Sequence, residues 1–94
     1  MVQKTVRAKE IVERKGVCGG VPILAGTRIR VSDIVVEYDH NGLAPEQIAR
    51  EFPGVTIADI FSALKYYYEN PAKIRKEIEN RERLLSSAAA AKHN

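Results

Sequence analysis

Tryptophan is absent from this 94-residue chain, cysteine occurs once and histidine twice. A lone Cys18 excludes an intramolecular disulfide and any multi-cysteine zinc site, and it fits a reducing compartment, so a cytoplasmic location is expected. His40 and His93 stand apart from each other and from Cys18, and the carboxylates show no metal-loop spacing. No metal, no cofactor and no catalytic constellation is therefore read, and the chain is not expected to be an enzyme. No apolar run approaches membrane-spanning length, and the first fifteen residues alternate charge with aliphatics where a signal peptide would carry an apolar segment. Neither a membrane role nor export is expected.

What remains is one small domain, marginal for a self-sufficient core, so further burial in a homodimer or a partner complex is expected. The formal charge of +3 is unevenly placed: residues 1–31 hold seven Lys/Arg against two acids, residues 32–70 two against seven, and residues 71–94 six against three. A basic arm and ribbon beside an acidic centre suit either a nucleic-acid-facing edge or mutual attraction between protomers.

The chain is organised around Cys18–Val31. Two β-type runs, Val21–Leu24 and Arg28–Val31, flank Ala25-Gly26-Thr27, a link whose glycine supplies the positive φ of a tight hairpin. In the second run Ile29 and Val31 alternate with Arg28 and Arg30, which puts the aliphatics on the core and the guanidinium groups either in water or on a phosphate or carboxylate. Glu10–Glu13 reads as a short strand joining the hairpin, with the residues before it frayed or settling on nucleic acid as a basic arm.

Helical signals follow. Ser32 is the expected N-cap of a helix to Asn41, with Asp33 at its positive end and Ile34, Val35 and Tyr38 on its buried stripe. Leu43-Ala44-Pro45 opens a second helix with Pro45 at its first position, Ile48 and Phe52 on one face, and no side-chain cap at Ala44. After Pro53-Gly54-Val55, Thr56 and Asp59 form a capping box for a third helix. Its expected core stripe is Ile57, Ile60, Phe61, Leu64 and Tyr68, with Ala58, Asp59, Ser62, Lys65 and Glu69 outward. Helix, short turn, helix is the arrangement of a helix-turn-helix. The outward set, however, offers one cation against two acids and no Arg, Asn or Gln for bidentate base contacts. Tyr66, Tyr67 and Tyr68 cannot all face one side, which points to an interface and self-association. Asn70-Pro71 ends that helix and starts a fourth, helical to about Leu85, with Ile74, Ile78 and Leu85 as a thin stripe and a frayed extension from Ser86 to Asn94.

The run Cys-Gly-Gly-Val-Pro-Ile-Leu-Ala-Gly-Thr-Arg-Ile-Arg-Val, then Gly42-Leu43-Ala44-Pro45-Glu46-Gln47-Ile48 and Val55-Thr56-Ile57-Ala58-Asp59-Ile60, resembles the bacterial and archaeal family called domain of unknown function number 433. The resemblance spans roughly Ile11 to Tyr68, and family members usually carry Ser or Thr where Ala44 stands. It implies a homeodomain-like helical domain and an antitoxin of the VapB type, partnered with a ribonuclease toxin of the PIN-domain class.

The expected fold is thus α+β and mostly helical: an N-terminal strand and β-hairpin, a three-helix homeodomain-like unit and a C-terminal helix, with residues 1–70 as the domain and 71–94 as an extension. On the antitoxin reading the chain neutralises its toxin and represses its own operon as a DNA-binding homodimer. Arg28, Arg30, Thr56, Ser62 and Lys65 would meet operator DNA; Ile74, Ile78, Arg81, Arg83, Leu84 and Leu85 would meet the toxin; Ile29, Tyr66 and Tyr67 would form the dimer interface. The alternative is a dimeric protein-interaction scaffold with the same shape that reads no DNA.

Overall fold

The computed structural model describes residues 7–92, with side chains as far as residue 87. The fold is α+β and mostly helical. Its sheet has two strands, β1 (Ile11–Glu13) and β2 (Pro22–Leu24), antiparallel, with Ile11 opposite Leu24 and Val12 opposite Ile23. β1 was expected to join a hairpin; it is in fact the principal partner of β2. The other expected arm, Arg28–Val31, is not a strand. Past the loop at Gly26 (φ +77°) it returns only for a single bridge, Ile23 with Arg30, and for the bond from Leu24 N to Ile29 O at 2.9 Å. The reason is local competition for Arg30. The Asp33 carboxylate accepts both the backbone N–H of Arg30 at 3.0 Å and its Nε at 3.1 Å, which converts the end of the ribbon into a helix start.

That helix, α1 (Val31–Val35), therefore begins before Ser32 and runs directly into a π-helical turn, Val36–His40. Ser32, expected as N-cap, is buried inside the first turn. α2 (Pro45–Glu51) starts at Ala44 without a side-chain cap there, and the Gln47 side chain compensates by accepting from Ala44 N at 2.8 Å. α3 (Ile57–Glu69) carries the anticipated box: Thr56 Oγ1 accepts from Asp59 N at 3.1 Å and Asp59 Oδ2 accepts from Thr56 N at 2.9 Å. Asn70 ends α3, with its amide N–H and its side chain both donating to Tyr66 O. Its side chain is thus spent on the helix behind it. α4 (Pro71–Lys92) outlasts the expected end near Leu85, as a tract of alanines, the strongest helix formers, permits. The expected fraying of the first residues falls mainly on 1–6, outside the described residues, as do 93 and 94.

The core is shared by every layer. Leu24 of β2, Val31, Ile34 and Val35 of α1, Ile48 of α2, and Ile60, Ala63, Leu64 and Tyr67 of α3 are joined by Ile74 and Ile78 of α4. The first two turns of α4 therefore pack on the same core as residues before Asn70. Farther along, Arg81 donates to Asp33 Oδ1 and to Ser32 Oγ, both at 2.9 Å, and Ser32 Oγ donates to Glu77. This polar group bolts α4 across the start of α1.

The buried face of α3 is rotated from the expected one. It consists of Asp59, Ile60, Ala63, Leu64 and Tyr67, leaving Ile57, Phe61 and Tyr68 outside. Two polar anchors hold the helix in that orientation. Asp59 is buried under the segment before β1, where it accepts from Lys9 N at 2.6 Å and Lys9 Nζ at 2.9 Å. Tyr67 is buried against the turn after α1, its hydroxyl donating to Asp39 at 2.6 Å and accepting from Arg75 Nε at 3.3 Å. An ion pair and a hydroxyl that would be costly to bury alone are each satisfied, and a simple count of apolar positions does not foresee this.

Candidate functional site

The helix in the recognition position of the helix-turn-helix turns an apolar stripe outward. Ile57 is 44%, Phe61 55% and Tyr68 62% exposed. They recur at i, i+4 and i+11, within about 40° of one another around an α-helix of 3.6 residues per turn. Lys65 and Glu69, both exposed, flank the stripe. Tyr68 stacks obliquely on Tyr67, with ring centres 5.1 Å apart, and the nearby Tyr38 hydroxyl raises its pKa. A surface that offers methyl groups and aromatic rings in place of Arg, Asn and Gln suits another protein's side chains better than base edges.

Among the described residues no hydrogen bond or ion pair joins any two of the five residues expected at DNA. Thr56 is engaged in its cap with Asp59, and Ser62 Oγ donates to Lys9 O at 3.4 Å in the seam between α3 and the segment before β1. Arg30 is tied to Asp33 at the start of α1. Of the five, Arg28 and Lys65 are the two exposed cations. Arg28 sits beside an unusual turn: Cys18 (φ +50°) and Gly19 (φ +72°) both have left-handed backbones, and the Cys18 thiol donates to Arg28 O at 3.3 Å. Cys18 is half-buried, with its thiol engaged in that bond.

The residues expected at a toxin divide in two. Ile74 and Ile78 are buried in the chain's own core and Arg81 is bound to Asp33 and Ser32, because α4 docks on α1 and α3. Arg83 is exposed, and Leu84 and Leu85 are each 70% exposed on the half of α4 that passes beyond the core. The residues expected at a dimer interface turn inward. Ile29 packs on the core, Tyr67 is buried, and Tyr66 is half-buried, its hydroxyl donating to Glu13 at 3.3 Å and receiving from Lys73 Nζ at 3.2 Å. Of the three adjacent tyrosines, Tyr68 is the exposed one. What pattern reading missed is the exposure of Ile57, Phe61 and Tyr68, assigned to the core because their spacing fits a buried stripe.

Charge is concentrated at three places. Burial works against ionisation of Asp59, yet bonds from Thr56 N, Lys9 N and Lys9 Nζ hold its pKa below the usual carboxylate range. Burial opposes Asp33 likewise, and Arg30 and Arg81 lower its pKa in net. Glu51 is the opposite case: the neighbouring Glu37 carboxylate raises its pKa. Among the described residues no cluster of His, Cys, Asp and Glu could hold a metal ion, and no helix is long and apolar enough to cross a membrane.

A two-stranded ribbon packed on a helix-turn-helix unit, with a fourth helix closing the core, defines the class: a small α+β, mostly helical domain. The model of the family described as "Protein of unknown function (DUF433)" matches residues 11–67, and the chain belongs to that family. The fold is similar to the crystal structure of a DUF433 member protein from Anabaena variabilis: TM-score 0.67 and 35% identity, over 76% of this chain and 69% of that one. No curated protein matches the chain.

Proposed function

We propose that the chain is a dimeric protein-interaction module that keeps the helix-turn-helix shape without reading DNA through it. The observation that carries this reading is the outer face of α3, where Ile57, Phe61 and Tyr68 are exposed together. Exposed aromatic and aliphatic side chains in one stripe are costly in water and favour a protein partner. A second copy is the simplest partner. Two α3 helices packed antiparallel about a two-fold axis near residues 62 and 63 would set Ile57 against Tyr68 twice over and Phe61 against the edge of Leu64, an isologous arrangement. Phe61→Glu, on an exposed position, should leave the fold intact and convert the dimer to monomer. Light scattering on both forms reads the result; a monomeric parent chain at micromolar concentration would defeat the proposal.

A VapB-type antitoxin is the second reading. It is favoured by the exposed Leu84 and Leu85 beside Arg83, which form an apolar and cationic end to α4 suited to a groove near the acidic active site of a PIN-domain ribonuclease. Replacing both leucines with Ala should then abolish inhibition of a toxin encoded beside the gene while leaving the melting temperature within a few degrees. Unaltered inhibition would remove the role from this end of the helix.

A further inference from the structure

We infer that the groove between α1, the end of α2 and the outer half of α4 is a docking site for a basic amphipathic helix of a partner protein. This surface is separate from the outer face of α3 and does not depend on the dimer proposed above.

The groove has a volume of about 350 Å³, and its apolar lining is Val36, Phe52, Ile78 and Leu85. Those four come from three different elements, and they are apolar for one reason. The stripe of α4 that buries Ile74 and Ile78 continues at helical spacing to Leu85, but the core beneath it ends at Val36 and Phe52, which are only partly covered. Leu85 therefore overhangs a trough that nothing else in the described chain fills. A helix laid along it would cover Leu85, Val36 and Phe52 together and extend the bundle by one member.

The rim determines the chemistry of the occupant. Asp33 and Arg81 line the inner end but neutralise each other at 2.9 Å. Glu37 and Glu82 line the rest, and neither has an ion-pair partner among the described residues. Glu51, exposed and next in sequence to Phe52, has its pKa raised by the neighbouring Glu37 carboxylate, and Glu37 accepts from Asn41 Nδ2 at 3.0 Å in place of a cation. Like charges held together in this way are unfavourable at neutral pH and are relieved by Lys or Arg from outside. An occupant with aliphatic anchors at i, i+3 or i+4 and with Lys or Arg beside them meets both requirements. An acidic helix meets only the first.

The test uses the full chain and two synthetic peptides of identical pattern, with Leu at helical spacing and either Lys or Glu at every other position. Titration followed by NMR should show the Lys peptide shifting signals of Val36, Phe52, Ile78 and Leu85, and binding at least about tenfold more tightly than the Glu peptide, the scale of two or three surface ion pairs. Leu85→Asp, on an exposed position, should abolish binding of the Lys peptide without loss of fold. Glu37→Lys with Glu51→Lys should reverse the preference between peptides. Equal binding of the two peptides, an unchanged preference in the reversed variant, shifts confined to Ile57, Phe61 and Tyr68, or no binding would each overturn the assignment. So would conversion of a dimer to monomer by Leu85→Asp, since the groove would then hold a second copy.

Discussion

Asp59 shows most directly what a single side chain holds together. It accepts from Thr56 N and so starts α3, and it accepts from Lys9 N and Nζ and so fixes the segment before β1. Its side chain is 1% exposed while that of Lys9 is 31% exposed, so one partner is inside and the other at the edge. Removal of the carboxylate leaves Lys9 without its counter-charge and two backbone N–H groups without an acceptor. Asp59→Ala should therefore cost about 3 kcal/mol, at the lower end for a broken buried pair, read by chemical denaturation. The pH dependence has a definite sign. With the folded pKa depressed, the stabilisation is fully present above the unfolded value of about 3.9 and is lost as pH falls through the lower folded value. Asp33, also depressed, contributes in the same direction. Acid unfolding should accordingly be shallower in Asp59→Ala than in the parent chain. Lys73 and Glu13 offer the contrast: both side chains are nearly half exposed, and Lys73→Ala should cost less than about 1 kcal/mol.

At the scale of elements, α4 is two different helices in one. Its first half supplies Ile74 and Ile78 to the core and the Glu77 and Arg81 groups to Ser32; its second half carries Leu84 and Leu85 into solvent. Ile74→Ala should cost about 2–5 kcal/mol, as for other fully buried aliphatics, whereas Leu84→Ala should stay within about 0.5 kcal/mol. Thermal melts of the two variants distinguish them. The same division bears on truncation: cutting after Asn70 removes part of the core and should unfold the domain, while cutting after Arg83 should not. At the start of α2, Ala44 has the extended backbone of a cap (φ −70°, ψ 154°) and no side chain to serve as one. Ala44→Ser should add about 1 kcal/mol, measurable as a higher denaturant midpoint with an unchanged slope.

For the whole molecule, the distribution of charge decides which partners are attracted and the apolar faces decide which are kept. The basic N-terminal third retains Arg7, Arg14, Lys15 and Arg28 as exposed cations, but Arg30 is paired with Asp33 and Lys9 with Asp59. Any affinity for DNA should therefore be weak, non-specific and steeply dependent on salt. Arg28→Ala should reduce the log-log salt slope by about one, measured by fluorescence anisotropy at several salt concentrations. A sequence-selective complex that survives in the Arg28→Ala variant and is lost in Phe61→Glu would restore α3 as a groove reader.

Local rules account for what the sequence determined by itself. The capping box of Thr56 and Asp59, the turn at Gly26, Pro45 and Pro71 at helix starts and the short strand at Ile11 depend on neighbours within a few residues, and these stand as read. The family, too, is legible in the runs around Cys18–Val31 and Val55–Ile60. Tertiary structure alone decided which face of α3 lies inside. The spacing of Ile57, Phe61 and Tyr68 fits a buried stripe as well as the true one does, and the choice was made by Lys9 reaching Asp59 and by Asp39 and Arg75 reaching Tyr67. Those partners are distant in sequence from the helix or lie on other elements, so periodicity contains no trace of them. The same holds for α4, whose thin stripe of Ile74 and Ile78 looked like an arm for another protein. It closes this one because Ser32 and Asp33, some 45 residues earlier, hold Glu77 and Arg81 in place, a bond that only the folded chain brings within reach.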